Sequence, residues 1–180
     1  MIGGVSWHVR AARADEADEL AGLNLRTALA AYGHIFPPEA PAPTHEGMRA
    51  QWDHWLGPDQ ANGRRAFVAV EHGWEHDTIV GAVLVGPDAD DPAVGHLSRL
   101  NVTPERWAGG IGTDLYGTAV RAMAEAGFPS ATLWVLERNT RARAWYERLG
   151  WRLSGARKPM YAPGGIDDVG YRIDLPGPAR

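Results

Sequence analysis

Cysteine is absent from this chain of 180 residues. Its absence removes disulfides, thiolate metal sites and any cysteine nucleophile from consideration. An excess of positive charge is also missing. The 18 Lys and Arg residues stand against 22 Asp and Glu, a formal charge of -4, so nothing is left to condense on a phosphate backbone and no nucleic-acid partner is expected. No apolar stretch reaches the length of a bilayer span, so no membrane partner is expected either. The opening Met1-Ile2-Gly3-Gly4-Val5 lacks a basic segment followed by an apolar run, which makes the cytoplasm the expected compartment. Low-complexity tracts, runs of like charge, internal repeats and a domain-sized linker are missing as well. What remains is ordinary for a globular chain: 44% apolar and 22% charged residues, with enough length to bury a core, so residues 1–180 are read as one domain.

Hydrophobic spacing predicts a strand over Val5 to Ala11 and a helix opened by Asp15-Glu16, with Leu20, Leu23, Ala28 and Ala31 on one side. Tyr32 to Pro38 breaks that helix, and a second one carries Met48, Trp52 and Trp55. Strands at Ala66 to Glu71 and Thr78 to Val85 form a hairpin through the turn His72 to Asp77, and Val94 to Val102 is a further strand. From Gly110 the pattern is helical, with Ile111, Leu115, Ala119, Met123 and Ala126 on one face and Gly127 as a stop. Ala131 to Leu136 has strand length, and Asn139 to Leu149 is helical again, closed by Gly150. Short strands around Trp151 to Gly155 and Val169 to Leu175 finish the chain. The central strand, helix, strand order requires a crossover and parallel pairing of its two strands.

The most informative segment is Val102-Thr103-Pro104-Glu105-Arg106-Trp107-Ala108-Gly109-Gly110-Ile111-Gly112-Thr113, a glycine-rich turn between a strand and a helix. Such a turn offers unpaired N–H groups at the positive end of a helix dipole, and glycine lets a phosphate approach the main chain. On glycine spacing alone, a tight loop with an exposed helix N-terminus and no ligand is the leading reading. A Walker A loop needs Gly-Lys-Ser/Thr, and here Thr113-Asp114 follows Gly112. A dinucleotide fingerprint needs a third glycine where Leu115 stands, and it normally opens the chain.

The segment resembles the signature of the GNAT superfamily of N-acetyltransferases, Gln/Arg-x-x-Gly-x-Gly/Ala between a strand and a long helix, matched here at Gly110 and Gly112. Trp107 departs from it at the Gln/Arg position. A second block is similar too: the apolar strand Leu133 to Leu136, then Asn139, Ala142, Trp145-Tyr146 and Leu149-Gly150-Trp151, in the family's order and separation. The likeness covers about residues 94 to 155. It implies an α/β (α+β) fold: one GNAT-like domain with a mixed, mostly antiparallel sheet of about seven strands, a central parallel βαβ unit and helices on both faces. It also implies an N-acetyltransferase that passes the acetyl group of acetyl-CoA directly to a primary amine of a small molecule or peptide, with no metal.

Residue by residue, the resemblance assigns the coenzyme to Leu100, Asn101 and Val102 on the strand, to Trp107, Ala108, Gly109, Gly110, Ile111, Gly112 and Thr113 in the turn, and to Asn139. Asparagine at a helix start also caps it. A backbone N–H near Val102 would hold the developing oxyanion. Tyr146 matches the family tyrosine that protonates the leaving thiolate, a job suited to a phenol of pKa about 10. Periodicity by itself makes Tyr146 a core aromatic. His96 occupies the place where many members carry a glutamate base, and a neutral imidazole can accept the proton. Tyr32, His34 and Phe36, in the loop implied to cover the open end of the cleft, are the acceptor-binding candidates, or else pack beneath that proline-stiffened loop. A homodimer is compatible with the family, where dimers are common.

Two other readings stand beside this one. A non-catalytic acyl-CoA-binding or regulatory domain would keep the fold and bind the coenzyme without turnover, whereas a nicotinamide-dependent oxidoreductase would be stabilised by NAD(P) and not by acetyl-CoA. His72-Gly73-Trp74-Glu75-His76 spells the inverted zinc-protease pattern, but Gly73 and the flanking strands predict a turn rather than the helix that chemistry needs.

Overall fold

The strands β2 (Arg65–Glu71) and β3 (Thr78–Pro87) are apolar on both sides, which obliges both faces of the sheet to be covered. Phe67, Ala69, Val83 and Val85 face one way, and Ala66, Val68, Val70, Ala82 and Leu84 the other. In the computed structural model, which describes residues 6–57 and 63–177, four helices supply the cover. Helices α1 (Ala17–Tyr32) and α2 (His45–Leu56) bring Leu20, Leu23, Trp52 and Leu56 to one face. Helices α3 (Ile111–Glu125) and α4 (Thr140–Arg148) bring Ile111, Leu115, Met123 and Tyr146 to the other. Buried polar atoms on the first face are satisfied locally, for Trp52 donates its indole N–H to Oδ1 of Asn24 at 2.6 Å.

The seven strands lie in the order β1-β2-β3-β4-β5-β7-β6, where β1 is Trp7–Ala11, β4 Gly95–Val102, β5 Ser130–Leu136, β6 Arg152–Tyr161 and β7 Ile166–Asp174. Every pairing is antiparallel except β4 with β5, the pair joined through α3. The mixed sheet, the central βαβ unit and the helices on both faces are therefore as expected. Val5, the expected start of the first strand, falls outside the described residues. The last two strands differ in their bounds: β6 runs on to Tyr161 instead of ending near Gly155, and β7 begins at Ile166, because β6 is an edge strand exposed along nearly its whole length and carries little apolar periodicity to read. In the sheet β7 pairs with β5 and β6 forms the edge.

The feature that positions the site is a failure of pairing. β4 and β5 are joined only at Gly95↔Ala131 and His96↔Thr132, yet β4 continues to Val102 and β5 to Leu136. Beyond the join the two strands part and leave a wedge in the middle of the sheet. A bulge in β4 turns it away: Ala82 faces Asn101 and Leu84 faces Ser98, so Val83 alone opposes Arg99 and Leu100. Arg99 takes φ 54, a left-handed conformation uncommon for a residue with a side chain. The bulge resets the alternation, which is why Leu97, Leu100 and Val102 all pack toward the α3 side.

Candidate functional site

At the open end of the wedge β4 passes into the glycine turn. A short 3-10 turn, Pro104–Arg106, is fastened to the end of β2 by the paired hydrogen bonds of the Arg106 guanidinium to Glu71. Trp107 then donates its indole N–H to the carbonyl of Val102 at 2.7 Å and carries the Arg141 guanidinium 4.5 Å from its ring centroid. The tryptophan that departs from the family signature is thus a clamp closing the turn onto the strand. Ala108 and Gly110 take φ 65 and φ 97, and within the turn the N–H groups of Trp107, Gly109, Thr113 and Asp114 bond to carbonyls. Those of Ala108, Gly110, Ile111 and Gly112 have no partner among the described residues. Four free donors at the N-terminus of a 15-residue helix, with a guanidinium beside them, are an arrangement able to accept a doubly charged anion such as a diphosphate.

At the end of the strand leading to that turn the Val102 carbonyl is taken by the Trp107 indole, but the Val102 N–H is free. Thr103 donates to the carbonyl of Val80, so the alternation of antiparallel pairing directs the N–H and C=O of Val102 away from β3, toward the side where β5 has diverged. The expected donor at Val102 is therefore available to a ligand in the wedge. Leu100 and Val102 serve the core with their side chains at the same time.

Two phenols approach from opposite faces. Tyr146 of α4 is buried, set edge-on to Trp145 and Trp151, and its hydroxyl has no hydrogen-bond partner among the described residues. Burial, with the nearby phenols of Tyr32 and Tyr116, raises its pKa far above the usual tyrosine value, so the hydroxyl keeps its proton. Tyr32, at the end of α1, is likewise raised by burial and by the carboxylate of Asp168, against the opposing charge of Arg99. No sealed polar side-chain atom lacks a partner among the described residues, so both unpartnered hydroxyls remain open to solvent.

His96 stands at the vertex of the wedge. Its Nδ1 lies 2.9 Å from Oγ1 of Thr132 and 3.4 Å from Oδ2 of Asp88, while the Thr132 hydroxyl is itself within hydrogen-bond distance of that carboxylate. A carboxylate only accepts, so the single Thr132 proton goes to Asp88 and Nδ1 of His96 is the donor, which leaves Nε2 as a bare acceptor. Burial lowers the His96 pKa despite the opposing pull of Asp88, and the ring is neutral at physiological pH.

The remaining candidates divide. Tyr32 and Phe36 pack with Ile35, Leu136, Ile166 and Tyr161 over the ends of β5 and β7, closing the mouth of the wedge, whereas His34 is exposed and makes no hydrogen bond among the described residues. Asn139 caps α4, its Oδ1 accepting the Ala142 N–H at 3.2 Å. Arg143 is committed to the Tyr171 hydroxyl and the Glu137 carbonyl, which leaves Arg141 as the arginine of this helix beside the turn. His72 lies in a turn, stacked on His8 and paired with Asp77 at 3.2 Å, so the two histidines of the zinc-like pattern share no helix face. Sequence reasoning passed over Arg99 and Asp168. The only sign of the first was the broken alternation of Leu97-Ser98-Arg99-Leu100, and the second lay in a stretch too polar to read as strand.

Comparison with known proteins gives a consistent picture. The model of a family described as Acetyltransferase (GNAT) family matches residues 29–151. No curated protein sequence matches the chain significantly. Among solved structures, the PaiA N-acetyltransferase from Thermoplasma acidophilum in complex with coenzyme A has a TM-score of 0.72 at 18% identity, covering 94% of this chain and 99% of its own. An acetyltransferase of the GNAT family from Streptococcus pneumoniae has a TM-score of 0.69 at 21% identity over 95% of this chain and 100% of its own. The ribosomal-protein-S18-alanine N-acetyltransferase from Escherichia coli has a TM-score of 0.70 at 15% identity over 97% of each chain. At such identities the likeness is one of fold.

Proposed function

The chain belongs to the acetyltransferase (GNAT) family, and from that premise we propose that it transfers the acetyl group of acetyl-CoA to a primary amine, of a small molecule or a peptide, by direct attack in a ternary complex. The observation that carries this reading is the conjunction of a strand edge left unpaired with β5, β4 beyond His96, with four free N–H groups at the turn where that edge ends. A linear ligand with a diphosphate at one end and a pantetheine arm of amides fits both together. Acetyl-CoA supplies an activated thioester carbonyl. The turn and Arg141 hold its phosphates, and the N–H of Val102 faces the oxygen that gains charge. His96 takes the ammonium proton at Nε2, and Tyr146 returns a proton to the departing sulfur.

Calorimetry should detect acetyl-CoA binding to the purified protein, and a panel of amines should release free CoA thiol. Binding without thiol release from any amine would leave a coenzyme-binding domain without turnover; no binding at all would end the assignment. For His96 the sign of the pH effect follows from its lowered pKa. The base is competent while unprotonated, so kcat/KM should hold down to pH values below the ordinary 6.5 and fall only as His96 becomes charged. His96→Ala should remove that acid limb, and an unchanged profile would exclude His96 as the base.

A further inference from the structure

Across β5, β7 and β6, the face of the sheet opposite α3 carries side chains that the transfer chemistry above leaves unused. Trp134 and Leu136 point to this face, as do Asp168 and Gly170, because their sequence neighbours Leu133, Val135, Val169 and Tyr171 are buried toward α3. His96 and Thr132 share it, since Leu97 and Ala131 face the other way. Asp168 is only 8% exposed, and no hydrogen-bond donor among the described residues reaches its carboxylate. Its side chain is 11% exposed, so the carboxylate keeps a little contact with solvent. A nearly buried anion without a donor is costly, and such groups are kept where a cation is to be met.

A cation already sits there. Lys158, the single lysine of the chain, lies directly opposite Asp168 in the β6–β7 register. Its Nζ is 4.4 Å from the centroid of the Trp134 ring and 3.9 Å from Oδ2 of Asp168, too far for a hydrogen bond, and its side chain is 45% exposed. The ring is free to lie across β7 because its register partner is Gly170, where a Cβ would stand 3.3 Å from Cζ3 of Trp134. An aromatic face beside a buried carboxylate is an ammonium seat, and a half-exposed lysine on a flexible stem is an occupant that can leave it. The charged and titratable groups around the carboxylate are Lys158 from β6 and Tyr32 from α1, with Asp167 the next residue of its own strand and paired to Arg157; Arg99 acts on Tyr32 in turn, and the charge of Lys158 also reaches His96. The seat is thus within electrostatic reach of the proposed base through Lys158.

Resting on the acetyltransferase reading, we propose that Trp134 and Asp168 form the arrival site for the acceptor's ammonium group, and that Lys158 occupies it until an acceptor cation displaces it. An aliphatic amine with pKa about 10.4 arrives protonated at neutral pH. It then yields one proton to Nε2 of His96. Its nitrogen bonds the acetyl carbon as the carbon–sulfur bond breaks, the thiolate takes the Tyr146 proton, and the second proton lost by the nitrogen as the amide forms restores the Tyr146 hydroxyl, while His96 passes the first to solvent.

The test is steady-state kinetics with a cationic amine found in the panel, alongside calorimetry with acetyl-CoA. Asp168→Asn should raise the amine KM by about tenfold or more, the usual cost of losing a charged partner. Lys158→Met should lower it, by removing an internal competitor, and acetyl-CoA affinity should be unchanged in both variants. Tetramethylammonium, which cannot be acetylated, should compete with the amine and not with acetyl-CoA. An unchanged amine KM in Asp168→Asn overturns the proposal, and so does a raised KM in Lys158→Met, which would mean that the lysine orders the carboxylate. Should Asp168→Asn fail to fold, Lys158→Met and tetramethylammonium decide, with absent competition as the overturning result. If the wild-type protein neither binds acetyl-CoA nor releases thiol, the acetyltransferase reading fails by itself. Calorimetry of tetramethylammonium with Lys158→Met still judges the seat, and no binding there sinks it.

Discussion

Replacing Tyr146 by Phe is expected to lower kcat for acetyl transfer by about 100-fold, the scale of a lost proton donor, with acetyl-CoA affinity and thermal stability almost unchanged. The stability part follows from what the hydroxyl does not do. It makes no hydrogen bond among the described residues, so its removal leaves no orphaned partner, and a phenyl ring keeps the edge contacts with Trp145 and Trp151. The kinetic part follows from its environment. Burial first, then the Tyr32 and Tyr116 phenols, raises the Tyr146 pKa above the ordinary 10, so the proton is present throughout the working range and no basic limb in kcat should arise from its loss below that pH. A core aromatic with no chemical role would show the same stability and an undiminished kcat. Turnover within error of wild type would therefore return Tyr146 to the hydrophobic core and nothing more.

The parts of the fold that could be read in advance are those where local chemistry is sharp. The turn from Trp107 to Thr113 announces itself by three clustered glycines, of which Gly110 adopts a left-handed backbone, and the helices α3 and α4 by apolar residues three and four apart. The parallel pairing of β4 and β5 followed from their connection through a helix. The bulge at Arg99 was not readable, because a left-handed arginine carries no compositional mark; only packing against Trp55 and a 2.6 Å bond to Gln51 show what holds it. The ammonium seat was hidden for a different reason. Its members come from three strands, and in the sequence each alone is an unremarked residue in a polar stretch or a short strand. Asp168 becomes a buried anion only once β7 is placed inside β6, a strand order that no local pattern encodes. The same order brings Leu136 and Ile166 together against Ile35 of the proline-stiffened loop and Tyr32 before it.

Gly110→Val is expected to weaken acetyl-CoA binding by roughly 5- to 150-fold while leaving the fold intact, the range set by about 1–3 kcal/mol of backbone strain. Gly110 has φ 97, and space is not the difficulty, since a Cβ there would meet nothing nearer than Trp7 Cζ2 at 3.8 Å. The conformation is the difficulty. A β-branched residue avoids the left-handed region, so in the free protein the variant turn relaxes and its N–H groups no longer converge. Binding the diphosphate then has to restore the strained form, and that cost appears as lost affinity. A control comes from the other end of the same helix. Gly127 has φ 86 and nothing within 4 Å of a built Cβ, so Gly127→Val imposes the same backbone conflict far from the turn. It should lower the melting temperature without touching acetyl-CoA affinity. If both variants weaken coenzyme binding equally, the effect is general destabilisation and the turn is not the phosphate receptor. If Gly110→Val alone does so, the free donors of Ala108, Gly110, Ile111 and Gly112 are what the coenzyme grips.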